Sequence, residues 1–351
     1  MKNININSLE NWYQNNFQNQ LLGRRIVLKN IEPIILALKD PFKVLNIGLS
    51  EEGKNIYKVT VGNGPKKILA WSQMHGNEST GTKAMFDLFR YIEDGLETKD
   101  AFVETLLAEC TLEFIPMLNP DGATNFTRVN ANQVDLNRDA VSLEAKESVI
   151  LRTVLDDFKP EFCFNLHDQR TIFNVEGFKN PATISFLAPS IDLERTLTDG
   201  RKDTMAVIVA MNKTLQDLIP NYVGRYTDEF YPTATGDNFQ KLGHNTILIE
   251  AGHYHNDYDR DVVRKYNFYA MLSGLEFLTL TNDYSNYKPY FDIPNNGKQN
   301  YDLIIRGVKD DTNQSLDIAF QYEYTVENDK LVSKLVEYQR GGLEEFTGYN
   351  E

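Results

Sequence analysis

Three separated stretches of this sequence hold side chains that could do chemistry together. The first is His75-Gly76-Asn77-Glu78, which follows the strand-like run Ile68-Leu69-Ala70-Trp71 and precedes a helical pattern starting at Thr80. An imidazole and a carboxylate three residues apart at a strand-to-helix corner can converge on one cation, and Gly76 permits a tight turn between them. On its own the pattern reads better as the capped start of a helix. The second stretch is Phe164-Asn165-Leu166-His167, with a polar residue at the C-terminal end of a buried strand, where α/β sheets bind ligands. The third is Thr246-Ile247-Leu248-Ile249-Glu250. A carboxylate directly after four strand-type residues is costly to bury unless it is paired or functional. Desolvation raises its pKa toward the range of a general base. Two imidazoles and a carboxylate suit a tetrahedral ion whose fourth position stays open for water.

The elements needed to position these groups are visible around them. Residues 44–48 and 56–61 read as neighbouring strands joined through Glu51-Glu52-Gly53, and Asn63-Gly64 is a turn before the strand at 68–71. From Thr80 to Ile92 the apolar residues Ala84, Met85, Leu88, Phe89 and Ile92 share one helical face. Leu112–Ile115, Phe162–Leu166 and Thr246–Ile249 are short apolar runs of buried-strand type. Helical patterns occupy 8–22, 142–157, 201–219 and 261–278. Strands spaced by helices predict an α/β fold with a mixed, mostly parallel sheet flanked by helices. After residue 283 the texture changes. Residues 284–289 read as a linker, and alternating runs at 301–305, 317–324 and 331–336 predict a small β-rich appendage. The expected division is a catalytic domain over 1–283 and a β-rich domain over 284–351.

The order of motifs resembles the zinc metallocarboxypeptidases, including carboxypeptidase A-like peptidases and related zinc deacylases. The matching stretches are His75–Glu78, Asn119-Pro120-Asp121-Gly122, Val134-Asp135-Leu136-Asn137-Arg138, Asn165-Leu166-His167 and Ile249-Glu250, within about residues 40–280. The resemblance implies one Zn2+ held by His75, Glu78 and His167, with Glu250 as general acid/base. It implies that Arg128 polarises the scissile carbonyl, that Asn137 and Arg138 grip a substrate's free carboxylate, and that Asp135 stands behind His75. The mobile tyrosine of the family is matched by Tyr231, with Tyr226 as the alternative. The stretch Thr235–Phe239 lines the pocket for the terminal side chain, where Asp237 could select a basic residue. The implied activity is hydrolysis of a C-terminal peptide bond. The alternative is a zinc deacylase or amidase acting on N-acyl amino acids or cell-wall peptides. Either way the partner is a peptide or acyl-amino acid with a free carboxylate. The chain departs from the digestive enzymes at Asn77, where they carry arginine, and at Asp168-Gln169-Arg170, a more charged set than theirs.

Composition narrows the classes further. The chain has 351 residues, 41% of them hydrophobic, and 25% charged residues, which suits an extensive core. A formal net charge of −14 disfavours nucleic acid as a partner; it reads first as a solubility feature and second as a pull on cationic substrates. Cys110 and Cys163, the two cysteines, sit in apolar runs and read as buried free thiols. His253 and His255, just beyond Glu250, read as two exposed histidines, with an extra polar rim to the site as the alternative. No window approaches a membrane span and the N-terminus lacks an apolar leader, so a cytoplasmic location is the expectation.

Overall fold

Alternating side chains explain why the expected central strands are buried on both faces. The computed structural model describes residues 5–309 and 313–351. In chain order it opens with helices α1 (Ile6–Asn16) and α2 (Leu28–Ala37), then strands β1 (Lys43–Leu49), β2 (Asn55–Gly62) and β3 (Lys66–Trp71). Helices α3 (Thr80–Thr98) and α4 (Ala101–Glu109) lead to β4 (Cys110–Ile115), followed by α5 (Pro120–Asn125) and α6 (Lys146–Phe158). Next come β5 (Phe162–Asp168), β6 (Phe173–Val175), β7 (Ile184–Leu187) and α7 (Asp199–Gln216). Strand β8 (Val223–Arg225), α8 (Thr235–Lys241), β9 (Asn245–Ala251) and α9 (Asp261–Leu280) follow. The chain ends with β10 (Asn296–Lys298), β11 (Asn300–Lys309), β12 (Ser315–Glu327), β13 (Lys330–Arg340) and β14 (Thr347–Asn350).

The main sheet has eight strands in the order β1-β2-β4-β3-β5-β9-β7-β8. Its middle four strands are parallel, as are β7 and β8, while β1/β2, β2/β4 and β7/β9 are antiparallel. The mixed, mostly parallel α/β sheet expected from sequence is therefore present. Ile68, Ala70, Phe162, Phe164, Leu166, Ile247 and Ile249 join one core together with residues of α3, α4, α7 and α9. Leu69, Trp71 and Cys163 point the other way, into a second core with Leu151 and Leu155 of α6 and Phe239 of α8. Period-two alternation separates these sets, and helices on both faces keep the strands apolar throughout.

Several boundaries differ from expectation for identifiable reasons. Helix α1 ends at Asn16, not at 22, because the Gln18 N–H donates to Asp87 Oδ1 at 2.8 Å instead of continuing the helix. Helix α6 begins at Lys146, later than 142, because the Asp139 carboxylate accepts from the Glu144 and Ala145 amides. The segment 284–289 is not a loose linker. Tyr284 packs against Phe162 and Phe277, and Tyr290 just beyond is fully buried. Cys110 and Cys163 are buried and free, as expected.

The β-rich C-terminal region is present as a four-stranded sheet in the order β13-β12-β11-β14. Strand β10 pairs with β6 antiparallel, tying the start of this region to the segment after β5. Asn296 Nδ2 also donates to Gln169 Oε1 at 2.9 Å.

Candidate metal centre and cleft

Strand ends bring the three stretches to one place. His167 lies at the C-terminal end of β5, and its register partner on the parallel neighbour β9 is Glu250. Strand β3, on the other side of β5, leads into the loop carrying His75 and Glu78. Gly76 has no room for a side chain, since a Cβ there would lie 1.9 Å from the Gly122 carbonyl carbon. Asn119 fixes that contact by accepting from the Gly122 amide and donating to the Met74 carbonyl. The Asn119-Pro120-Asp121-Gly122 segment, the capped start of α5, is thus a strut beneath the His75 loop. Asp121, fully buried, accepts from Ser50 Oγ, the Glu52 amide and Lys54 Nζ.

His75, Glu78 and His167 are all buried and offer ligand atoms within 4.8 Å of one another. His75 Nδ1 lies 2.9 Å from Glu78 Oε1, His167 Nδ1 lies 2.9 Å from Glu78 Oε2, and the two Nδ1 atoms are 3.1 Å apart. Donors at roughly 2.0–2.1 Å from a tetrahedral zinc ion stand about 3.3 Å from each other. The three groups could therefore close on an ion with small adjustment, and imidazole and carboxylate are the donors zinc takes. Behind them, His75 Nε2 meets Asp135 Oδ1 at 3.0 Å, and Arg128 Nε donates to Asp135 Oδ2 at 2.9 Å. A carboxylate on the far nitrogen fixes the tautomer that leaves Nδ1 free for a metal.

The electrostatics are those of a coupled cluster. Burial lowers His75, but the Glu78 charge and the Asp135 hydrogen bond outweigh it and push it up to about 8. Burial would raise Glu78, yet the charge on His75 and the hydrogen bonds from both imidazoles hold it well below the usual carboxylate range. Burial lowers His167. Burial, helped by the Glu78 charge, pushes Glu250 up to about 8. A divalent cation at this point would oppose that last shift.

His75, Glu78, Arg128, Asn137, Arg138, His167, Tyr226, Tyr231, Asp237 and Glu250 line one cleft of about 610 Å³. Asn137 Oδ1 accepts from the Thr235 amide at 3.2 Å, anchoring the start of α8. Arg138 is exposed, with its guanidinium 5.3 Å from the centre of the Tyr231 ring. Tyr231 is exposed, and its amide donates to Asp237 Oδ1 at 3.3 Å. Tyr226 is half-buried against Phe173. Asp237 is buried, and that burial pushes its carboxyl up to about 6.

Other lining residues carried no functional reading from sequence. Asp168 accepts from Thr80 Oγ1 at 2.7 Å, and Arg24, Arg170 and Lys298 add positive charge to the walls. Arg24 and Lys298 lie far along the chain from every motif. Arg170 was visible only as a departure from the family pattern. The paired reading of His253 and His255 as exposed holds only for His255. His253 is buried between the rings of Tyr258 and Tyr349, which no local pattern near residue 253 reveals. Among the described residues, no helix is long and apolar enough to cross a membrane.

Comparison with known proteins bears on the family and the fold. Residues 35–170 match the model of the zinc carboxypeptidase family, a span that includes His75, Glu78, Asn137, Arg138 and His167 and stops short of Glu250. Carboxypeptidase SOL1 of Arabidopsis thaliana is 28% identical over 148 residues, which cover 38% of this chain and 30% of that protein. The match therefore spans under a third of the relative's length. Among solved structures, a metallo-carboxypeptidase from Burkholderia cenocepacia superposes with a TM-score of 0.55 at 18% identity, covering 70% of this chain and 66% of the other. Carboxypeptidase A from Helicoverpa armigera gives 0.56 at 15% identity, over 76% and 79% of the two chains. These likenesses extend the shared fold well beyond residue 170. The chain thus matches the zinc carboxypeptidase family over residues 35–170 and shares the fold of metallo-carboxypeptidases.

Proposed function

We propose that this protein is a zinc-dependent exopeptidase that removes the C-terminal residue of a peptide. The observation that supports this most is the common cleft. Three convergent metal-type donors, the half-buried Glu250 carboxyl beside them and an exposed arginine with an adjacent amide all line it. His75 Nδ1, Glu78 and His167 Nδ1 would hold the ion, which when bound supplies Lewis acidity and lowers the pKa of water in the cleft.

The chain's own residues then have distinct tasks. Glu250, raised by burial, is suited to take a proton from water and return it to the leaving amine. Arg128 offers a permanent cation to the oxygen that becomes negative as the carbonyl is attacked. Arg138 binds a free carboxylate through two parallel N–H donors, with the Asn137 amide beside it. Tyr231, against the Arg138 guanidinium, is placed to cover a bound terminus. Asp237 is a buried carboxyl in the cleft wall, suited to a basic terminal side chain.

The test compares matched peptides with free and amidated C-termini, using protein whose zinc content is measured. Release of the terminal residue from the free peptide alone is expected. Equal cleavage of both forms would remove the need for a free carboxylate and with it the exopeptidase reading. No cleavage by zinc-loaded protein would remove the enzymatic reading.

A further inference from the structure

The cleft does not end at the candidate metal centre. Arg24, Asn77 and Arg170 line it and also line a second groove of about 340 Å³. One wall of that groove is strand β12, through the consecutive residues Gln321 to Thr325. Side chains alternate along a strand, so consecutive residues along one wall mean that the strand turns its edge to the groove.

The pairing pattern accounts for the open edge. Strand β13 pairs with β12 from Ile318 to Glu327, but β11 pairs with it only from Ser315 to Phe320. Past Phe320, among the described residues, no strand pairs with the side facing β11. The Tyr322 N–H on that side donates to Asp302 Oδ2 at 2.8 Å. Antiparallel geometry sends the N–H and C=O of every second residue the same way, so those of Tyr324 also face that side.

The edge is held rigidly. The Arg24 guanidinium lies 4.7 Å from the centre of the Tyr324 ring, and the rings of Tyr258 and Tyr322 meet edge to face at 5.0 Å. Arg25 grips Asp329 in the β12–β13 turn at 2.9 Å. An uncovered edge of this kind is an aggregation hazard unless it has a use.

We infer that this edge binds the peptide segment upstream of the scissile bond as an added antiparallel or parallel strand. The inference rests on the exopeptidase reading and extends it to the rest of the substrate. A terminus gripped at Asn137 and Arg138 sends the preceding residues past the metal centre. They leave the cleft where it joins the groove at Arg24, Asn77 and Arg170. Main-chain hydrogen bonds to Tyr324 would then supply affinity with little dependence on side-chain identity.

The experiment uses the zinc-loaded full chain and peptides sharing one C-terminal dipeptide. These are an N-acetyl dipeptide, a hexapeptide, and two hexapeptides N-methylated at alternate upstream amides in the two registers. The hexapeptide is expected to show kcat/KM about tenfold above the dipeptide, the gain of roughly two net strand hydrogen bonds. N-methylation in one register is expected to abolish that gain, and in the other to leave most of it. Tyr324→Pro, which deletes the groove-facing N–H, is expected to lower the hexapeptide-to-dipeptide ratio. That ratio is insensitive to how much of a preparation folds. Equal rates on all four peptides would overturn the edge and leave the exopeptidase reading standing. No release from any peptide would overturn both.

Discussion

His167 and Glu250 are register partners on adjacent parallel strands, β5 and β9, so their side chains rise from the same face of the sheet. One could bind a metal and the other is raised by burial to about 8. Such a pairing gives a proton acceptor beside a metal without either residue depending on a flexible loop.

Glu250→Gln tests that division of labour. Glutamine keeps the size and one hydrogen-bonding oxygen but cannot take a proton. A fall in kcat of about 10²–10⁴ is expected, the usual scale of general acid–base catalysis. Zinc content by elemental analysis should stay at the level of the unaltered protein. Turnover within a few-fold of the original would remove Glu250 from the proposed chemistry.

Asp135 is not among the candidate ligands, yet it links two parts of the site. Its Oδ1 meets His75 Nε2 and its Oδ2 accepts from Arg128. Asp135→Ala should therefore loosen the imidazole and free the guanidinium together. Zinc affinity is expected to fall about 10–100-fold, as for other residues behind a metal ligand. Competition against a chromophoric chelator measures it, and unchanged affinity would mean that His75 is oriented by the backbone alone.

Much of this arrangement could be read from sequence because the critical groups sit where regular elements end. Glu250 follows four strand residues, His167 closes another apolar run, and His75 precedes a helix with clear periodicity. Such ends are predictable from local pattern. Arg24 and Lys298 were not legible, since their approach to the cleft depends on how distant segments pack. His253 failed for the same reason, because its burial comes from Tyr258 and Tyr349 and leaves no mark on residues 250–256. Helix α2 was also missed, and Pro33 inside it obscures the helical signal.

The N-terminal segment is joined to the core by a buried ion pair. Asp87 of α3 and Arg264 of α9 are both fully buried and 2.6 Å apart. Asp87 also accepts from Tyr13 Oη and the Gln18 amide, while Arg264 donates to the Gln18 and Leu21 carbonyls. Asp87→Ala leaves a buried guanidinium without its counter-charge. A loss of about 3–5 kcal/mol is expected in denaturant unfolding. A change below about 1 kcal/mol would mean that solvent reaches Arg264 once the partner is gone.

His253 predicts how stability depends on acid. Burial, with the charges of Arg260 and Arg24 and a smaller contribution from His255, lowers its pKa from 6.5 to about 2. The surrounding rings of Tyr258 and Tyr349 offer no negative charge at neutral pH. In the folded protein the imidazole thus stays neutral down to about pH 2, whereas in the unfolded chain it gains a proton below about 6.5. Between those values the unfolded state binds more protons, so stability falls as pH falls. Above 6.5 the group makes no difference. At pH 5 the loss is about 2 kcal/mol relative to pH 7.5. His253→Phe keeps an aromatic ring in the pocket and removes the titration. Its stability relative to the original protein should therefore improve by about that amount between pH 7.5 and pH 5, measured by chemical unfolding at each pH. A stability difference that stays constant across this range would show that His253 is protonated equally in both states.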